Sequence, residues 1–394
     1  MLENTAPHLA GKDRCTGCGS CASGCPKGAI HMLPDREGFL YPTVTDACIQ
    51  CGHCSHICPV LKQRELRSEP AAFAAWNSED EVRRQSGAGG VFSLLAEFIL
   101  DAGGVVFGAA MDEQLHVRHI EIKSKTELHR LRGPKLVQSE IGDAYVRVRY
   151  HLDRGRRVLF TGTPCQVDGL YRFLGEHPEK LLTVDILCGG VPSPGVWDHL
   201  VRSMAYIKQK KPLNVSFYAK VDGQRDRRFR VEFAGGSAYD APLPRSEFGY
   251  GLAQRLFLRP ACHTCPYAGT NRVGDLSLGL FRGLPKDYLS EDQKKGISLL
   301  LINSAKGAHM FDTLPLKKEK RPLQEAVAGN RALSAPLEAP AKRSEFFDAF
   351  SRQSFQQVRN RFLTPPTLPL VGKKADSGKT RGFSLGSLFR KKEK

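Results

Sequence analysis

The chain has 394 residues, 41% apolar and 25% charged, enough to bury a sizeable core and too apolar to stay disordered. Lys and Arg outnumber Asp and Glu by 58 to 41, a net charge of +17, which suits an acidic partner, a nucleic acid or an anionic membrane surface. No apolar run approaches the roughly 18 residues of a membrane span, and Met1–Ala10 lacks the basic-then-apolar pattern of an export signal. A soluble, cytoplasmic protein of two or three domains is expected.

The charge is uneven. Residues 1–60 hold Lys12, Arg14, Lys27 and Arg36 against Glu3, Asp13, Asp35, Glu37 and Asp46, a net of −1, which leaves +18 for the rest. From Lys373 onward eight basic residues face two acidic ones, or +6.

Eight of the twelve cysteines lie within residues 15–58. A cytosolic chain does not spend twelve cysteines on disulfides, so metal is the expected use. They form two runs, Cys15-x-x-Cys18-x-x-Cys21-x-x-x-Cys25-Pro26 and Cys48-x-x-Cys51-x-x-Cys54-x-x-x-Cys58-Pro59. This is the bacterial two-cluster ferredoxin spacing, twice over. Three thiolates two residues apart wrap one face of a 4Fe–4S cube, and the fourth, before proline, reaches the other cube. Cys15, Cys18, Cys21 and Cys58 are therefore assigned to one cluster, and Cys48, Cys51, Cys54 and Cys25 to the other. Zinc bound by paired CxxC motifs leaves the trailing Cys-Pro of each repeat unexplained.

After a charged linker at 61–70, an α/β domain is predicted over 71–362. Ser86-Gly87-Ala88-Gly89-Gly90 opens a helix at Val91–Asp101, where glycines would let backbone amides approach a phosphate or a flavin pyrophosphate. A strand is expected at Gly104–Ala110 and a helix at 143–154. Two apolar runs read as buried parallel strands, the first ending in Thr161-Gly162-Thr163-Pro164-Cys165, the second at Cys188. A helix at 167–174 separates them. Ser193 caps a helix at 194–208, with Pro194 in its first turn. A hairpin is expected at 213–235, strands at 273–281 and 296–303, and one or two closing helices at 342–362. Cys165 and Cys188 at two strand ends, where α/β sheets place ligands, together with Cys262-His263-Thr264-Cys265, supply four ligands for a third cluster. After Thr364-Pro365-Pro366 a disordered basic tail is expected, over 363–394. Its Phe383–Phe389 segment could touch anionic lipid weakly.

These stretches resemble a known family. Val158–Leu170, Val184–Cys188 with Val191–Pro194, and Leu258–Cys265 with Asn271-Arg272 are similar, in order and spacing, to three motifs of the coenzyme F420 hydrogenase/dehydrogenase beta-subunit family. The resemblance runs from about residue 11 to 362. It implies an iron–sulfur flavoprotein in which Cys165, Cys188, Cys262 and Cys265 hold one 4Fe–4S cluster beside FAD. It also implies an α/β flavin domain, here fused to a two-cluster ferredoxin module and ending in a small helical segment. Ser86, Gly87, Gly89, Gly90, Lys135, Thr161, Thr163 and Asn271 are the candidate flavin contacts. The chain departs from the family pattern at Gly87-Ala88, at Gly133-Pro134-Lys135-Leu136, at Gly189 and at Leu280-Phe281-Arg282-Gly283, while every cysteine of the pattern is present.

The expected function is electron relay between a one-electron carrier and an FAD-linked hydride acceptor or donor, such as a deazaflavin or another organic substrate. The partner is an acidic ferredoxin or flavodoxin, or another redox subunit. Two alternatives are an electron-transfer subunit without flavin and a basic nucleic-acid binder. The best patch for the latter is Arg225, Arg227, Arg228, Phe229 and Arg230, without an accompanying nucleic-acid motif, so nucleic acid is not expected as partner.

Overall fold

The computed structural model describes residues 8–62, 69–221 and 224–366. Most of the expected linker and nearly all of the expected tail, including Phe383–Phe389, lie outside them. Among the described residues, thirteen strands are formed in chain order: β1 Ile30–Pro34, β2 Leu40–Val44, β3 Ala71–Asn77, β4 Val105–Met111, β5 Val117–Ile122, β6 Val158–Gly162, β7 Leu181–Ile186, β8 Pro212–Val221, β9 Gln224–Phe233, β10 Ala238–Pro242, β11 Leu276–Leu280, β12 Ser298–Ile302 and β13 Leu316–Arg321.

Eight of these make one mixed sheet in the order β13-β3-β12-β11-β7-β6-β4-β5. β4, β6, β7 and β11 run parallel to their neighbours at its centre; the flanking pairs are antiparallel. Alternate side chains point to opposite faces. Val105, Phe107, Val158, Phe160 and Leu181 pack against helices Ala144–Asp153 and Pro164–Leu174. Val106, Leu159, Leu182 and Leu276 pack against helices Val91–Asp101 and Ala305–Thr313. The chain is thus a mixed α/β fold with a ferredoxin-like N-terminal segment.

The expected hairpin is a three-stranded sheet, β8-β9-β10. Its inner face shares a core with helix Pro194–Lys208 and the closing helices Lys342–Arg352 and Phe355–Val358, built on Trp197, Phe217, Phe229, Phe248 and Phe346. Phe229 is fully buried there, Arg228 pairs with Asp240, and Arg230 pairs with Glu232 and Asp240. The Arg227–Arg230 stretch is therefore no continuous basic surface, and the side chain of Arg225 lies outside the described residues.

Phe39 and Tyr41 of the N-terminal segment enter this same core. The Ser193 hydroxyl accepts from Val196 N, capping its helix, and donates to Glu37 O. Gly195 N donates to Gly38 O, and a Cβ on Gly38 would stand 2.5 Å from Gly195 Cα. Arg343 adds an ion pair to Glu37.

The helix after β6 begins at Pro164 rather than at 167. Thr163 caps it, exchanging hydrogen bonds with Gln166 in a capping box, and proline suits its first position. Cys165 consequently sits in the first helical turn. At the end of β7, Asp185 is fully buried and paired with the equally buried Arg272. Its other oxygen accepts from Val273 N and Gly274 N, and Arg272 also donates to Ile186 O and Ser277 Oγ. This pair pins the β7 exit, which carries Cys188, to the loop that follows Cys265. Removing one partner of a buried pair strands the other's charge, at a cost of about 3–5 kcal/mol. Asp185→Asn should therefore lower the urea-unfolding midpoint of the holoprotein by about that much stability; a change below about 1 kcal/mol would refute the pin.

Candidate functional site

Two helices of one turn, Ser20–Ser23 and His53–His56, follow Gly19 and Gly52, whose φ of 77° and 70° suit glycine. Each turn swings its cysteines inward. Cys15, Cys18, Cys21 and Cys58 line one cavity; Cys25, Cys48, Cys51 and Cys54 line a second. Each trailing cysteine thus stands with the other run's trio. Main-chain amides donate to sulfur, Ala29 N to Cys25 at 3.3 Å and Gln50 N to Cys48 at 3.4 Å. Such N–H···S bonds stabilise an anionic sulfur. Burial pushes the Cys21 thiol up to about 12 and raises those of Cys18, Cys54 and Cys58.

The four downstream cysteines form a third group. Cys165 Sγ is 3.1 Å from Thr163 Oγ1. Cys188 accepts from Gly190 N, and Cys262 accepts from Val191 N. Cys262 lies within the short turn Pro260–Thr264, just before Cys265. Burial pushes Cys165 up to about 12 and Cys188 up to about 11, and raises Cys262 well above its ordinary value. The negative charges of Cys165, Cys188 and Cys265 add to the burial of Cys262, so the four sulfurs share one electrostatic neighbourhood. A donor set of four half-buried thiols suits an iron–sulfur cluster, whose binding releases the thiol protons. Among the described residues, no three His, Cys, Asp or Glu side chains converge as a single metal ion would need.

The first and third groups meet on helix Pro164–Leu174. Gly169 lies one helical turn after Cys165, on the same face. A Cβ there would be 3.0 Å from Cys18 Cβ, 3.1 Å from Cys18 Sγ and 2.9 Å from Tyr145 Oη. Tyr145 donates to Gln166 O at 2.7 Å, and Tyr267 donates to Asp168 at 2.9 Å. The second group faces outward: Cys51 is exposed, and its neighbour Ile49 is 57% exposed.

The candidate flavin residues divide. Gly87 lies against Pro134, bringing the glycine loop and the Lys135 loop together. Ser86 donates to Val82 O, and Gly89 N donates to Ser298 Oγ. Gly90 is the cap of helix Val91–Asp101. The Lys135 ammonium donates to Arg130 O, Arg132 O and Gly133 O, and burial lowers its pKa to about 7. Thr161 donates to Phe107 O within the sheet. Thr163 belongs to the Cys165 side, and Asn271 adjoins Arg272 on the Cys188 side.

Three residues that join the groups were not singled out from sequence. Gln138 bridges Thr16 O and Arg259, Arg259 reaches Cys15, and Gly169 meets Cys18. Only Gly169 leaves a signal, since a glycine inside a helix costs about 1 kcal/mol and needs a packing reason.

A dicluster-type cysteine module docked on a mixed α/β domain with its own cysteine foursome defines an iron–sulfur protein of the oxidoreductase class. Residues 14–61 match the model of the 4Fe-4S dicluster domain, and residues 155–322 match that of the coenzyme F420 hydrogenase/dehydrogenase beta subunit, C terminus. The chain thus carries the C-terminal domain of this beta-subunit family and, ahead of it, a 4Fe-4S dicluster domain. Over 51 residues, 13% of this chain, it is 33% identical to an uncharacterized ferredoxin of Methanocaldococcus jannaschii, spanning 66% of that relative's length. A chain of the F420-reducing [NiFe] hydrogenase complex from Methanosarcina barkeri is 18% identical, with a TM-score of 0.46 over 76% of this chain and 94% of its own, too distant to define a fold.

Gly169→Ala tests the contact between the groups. The added methyl overpacks a buried junction, at about 1–3 kcal/mol. Gly169 has ordinary helical backbone, so alanine there carries no strain of its own and, without the contact, would gain about 1 kcal/mol of helix propensity. The unfolding midpoint should instead drop; an unchanged or raised midpoint would mean the N-terminal module does not press on this helix.

Proposed function

We propose that the chain is the electron-relay subunit of an iron–sulfur flavoprotein oxidoreductase. In this reading Cys25, Cys48, Cys51 and Cys54 hold a solvent-facing 4Fe–4S cluster. Cys15, Cys18, Cys21 and Cys58 hold an inner one, and Cys165, Cys188, Cys262 and Cys265 hold a third. The clusters supply one-electron chemistry, and FAD, where bound, couples it to hydride exchange with a deazaflavin or another organic substrate. The observation that carries the reading is the sorting of all twelve cysteines into three groups of four, with Cys18 touching the Gly169 face of the Cys165 helix.

The protein's own residues order the groups from outside to inside. Exposed Ile49 beside Cys51 offers an apolar contact for a one-electron carrier or a partner redox subunit. The basic charge of the chain beyond residue 60 favours an acidic one. Inside, Tyr145 and the Asp168–Tyr267 pair fill the junction between the first and third groups and exclude water from it. The division into a ferredoxin module at 1–60, a linker at 61–70, a flavin and iron–sulfur domain at 71–362 and a tail at 363–394 belongs to this reading, as does a cytoplasmic location. Glycine residues 87, 89 and 90, with Ser86, Lys135, Thr161, Thr163 and Asn271, are the proposed flavin contacts.

A second reading, an electron-transfer subunit without flavin, is favoured by one observation: three main-chain carbonyls already occupy the Lys135 ammonium. Acid-released flavin from anaerobically purified protein separates the two readings.

Three clusters imply about twelve iron and twelve sulfide per chain. Cys165→Ser should remove about four of each and leave the two ferredoxin signals unchanged by electron paramagnetic resonance (EPR). Wild-type iron near eight, or full iron in the variant, would exclude the third cluster; zinc at two or more per chain would overturn the ferredoxin assignment.

A further inference from the structure

Arg259 is fully buried, with 0% of its surface exposed. Among the described residues it has no carboxylate within ion-pair distance. Its donors go elsewhere: Nε to Cys15 O at 2.7 Å, Nη1 to Gln138 Oε1 at 3.0 Å, Nη2 to Leu40 O at 3.0 Å and to Cys15 Sγ at 3.7 Å. The guanidinium also lies over the Tyr41 ring, 4.2 Å from its centroid, and within 5.4 Å of that of Phe39. Its main chain is tied to the third group, since Cys262 N donates to Arg259 O at 2.9 Å.

Neutral acceptors satisfy the hydrogen bonds of a buried cation but not its charge, and a buried charge needs an opposite one. The anion on offer is the thiolate cage that includes Cys15. We propose that Arg259 is the buried counter-cation of the cluster held by Cys15, Cys18, Cys21 and Cys58, a positioning residue that raises this cluster's reduction potential and makes it the preferred resting place of an electron entering from the solvent-facing cluster. The inference rests on the ligand assignment above. Adding one electron makes the cage more anionic by one charge; a fixed positive charge with an N–H directed at a ligand sulfur favours that reduced form. Neither cavity is lined by an arginine; Arg259 reaches the first group through Cys15 Sγ, whereas the cation lining the second cavity is Lys27, which is exposed, so water screens it. Aromatic rings and the Gln138 amide hold Arg259 in one orientation, which a flexible surface lysine cannot match.

The test is an anaerobic, mediator-equilibrated reductive titration of the holoprotein, read by EPR, with iron counted in every sample. Arg259→Gln removes the charge. Gln138→Glu leaves the arginine in place and sets a carboxylate against its Nη1. Arg259→Lys keeps the charge without the fork. Both neutralising variants should lower the midpoint of one ferredoxin cluster by an at least tenfold change in its equilibrium constant, about 59 mV for one electron, and leave the other in place. The lysine variant should move it less. Unchanged midpoints in Arg259→Gln and Gln138→Glu at full iron would overturn the proposal and reduce Arg259 to a structural cross-link. If Arg259→Gln loads too little iron to titrate, Gln138→Glu decides alone. Wild-type iron below about eight per chain would instead reject the ligand assignment, an outcome separate from either midpoint.

Discussion

The contact between Cys18 and Gly169 is the one on which the arrangement depends. A helix surface normally keeps a neighbouring chain a side chain away. Here the absence of a Cβ lets a cysteine of the N-terminal module rest against the helix backbone, one turn from Cys165. The same helix starts at a capping box on Thr163, whose hydroxyl lies 3.1 Å from Cys165 Sγ. One local element therefore fixes the position of a sulfur in each of two groups. The Gly38–Gly195 approach and the Glu37–Arg343 pair hold the module from its other side, so its register on the α/β body is over-determined.

Buried charge is distributed to match. Asp185 and Arg272 pair beneath Cys188 and act on its thiol in opposite directions. Among the described residues, Arg259 has neutral partners besides the sulfur of Cys15. Of these two buried arginines, then, one is structural and closed, and the other points its charge at a thiol group. His119, stacked on Phe160 and bonded to Thr161 O and Ser139, is held neutral by burial, its pKa lowered to about 4, and adds no charge near neutral pH. The solvent-facing group has polar and apolar neighbours at the surface, which suits an exchange port more than a storage site.

Much of the fold was legible where a pattern had a local cause. Helices Val91–Asp101 and Pro194–Lys208 follow an amphipathic period and a Ser-Pro cap, and both end where the sequence reading put them. Strands β6 and β7 are runs of apolar residues, and they pair in parallel at the centre of the sheet. β13, Leu316-Lys317-Lys318-Glu319-Lys320-Arg321, has no element assigned to it from sequence; so charged a run forms a strand here because a sheet edge tolerates and favours charge. β3 is alanine-rich and weak in intrinsic strand preference, and tertiary packing decides it. In the site, cysteine spacing dictated the groups because three ligands come from one short loop. The contributions of Arg259, Gln138 and Gly169 were not legible, since each acts across more than 120 residues of sequence. Nor does Lys135 announce from sequence that its ammonium is taken up by carbonyls of its own loop.

The central claim is the order of the three groups: solvent-facing, inner, third. Pulsed EPR of the fully reduced protein measures which clusters are magnetically coupled, and coupling falls steeply with separation. The account requires the inner cluster to couple to both others, with Cys165→Ser abolishing one of its two couplings and sparing the other. A coupling between the solvent-facing and third clusters that equals or exceeds those of the inner one would contradict it.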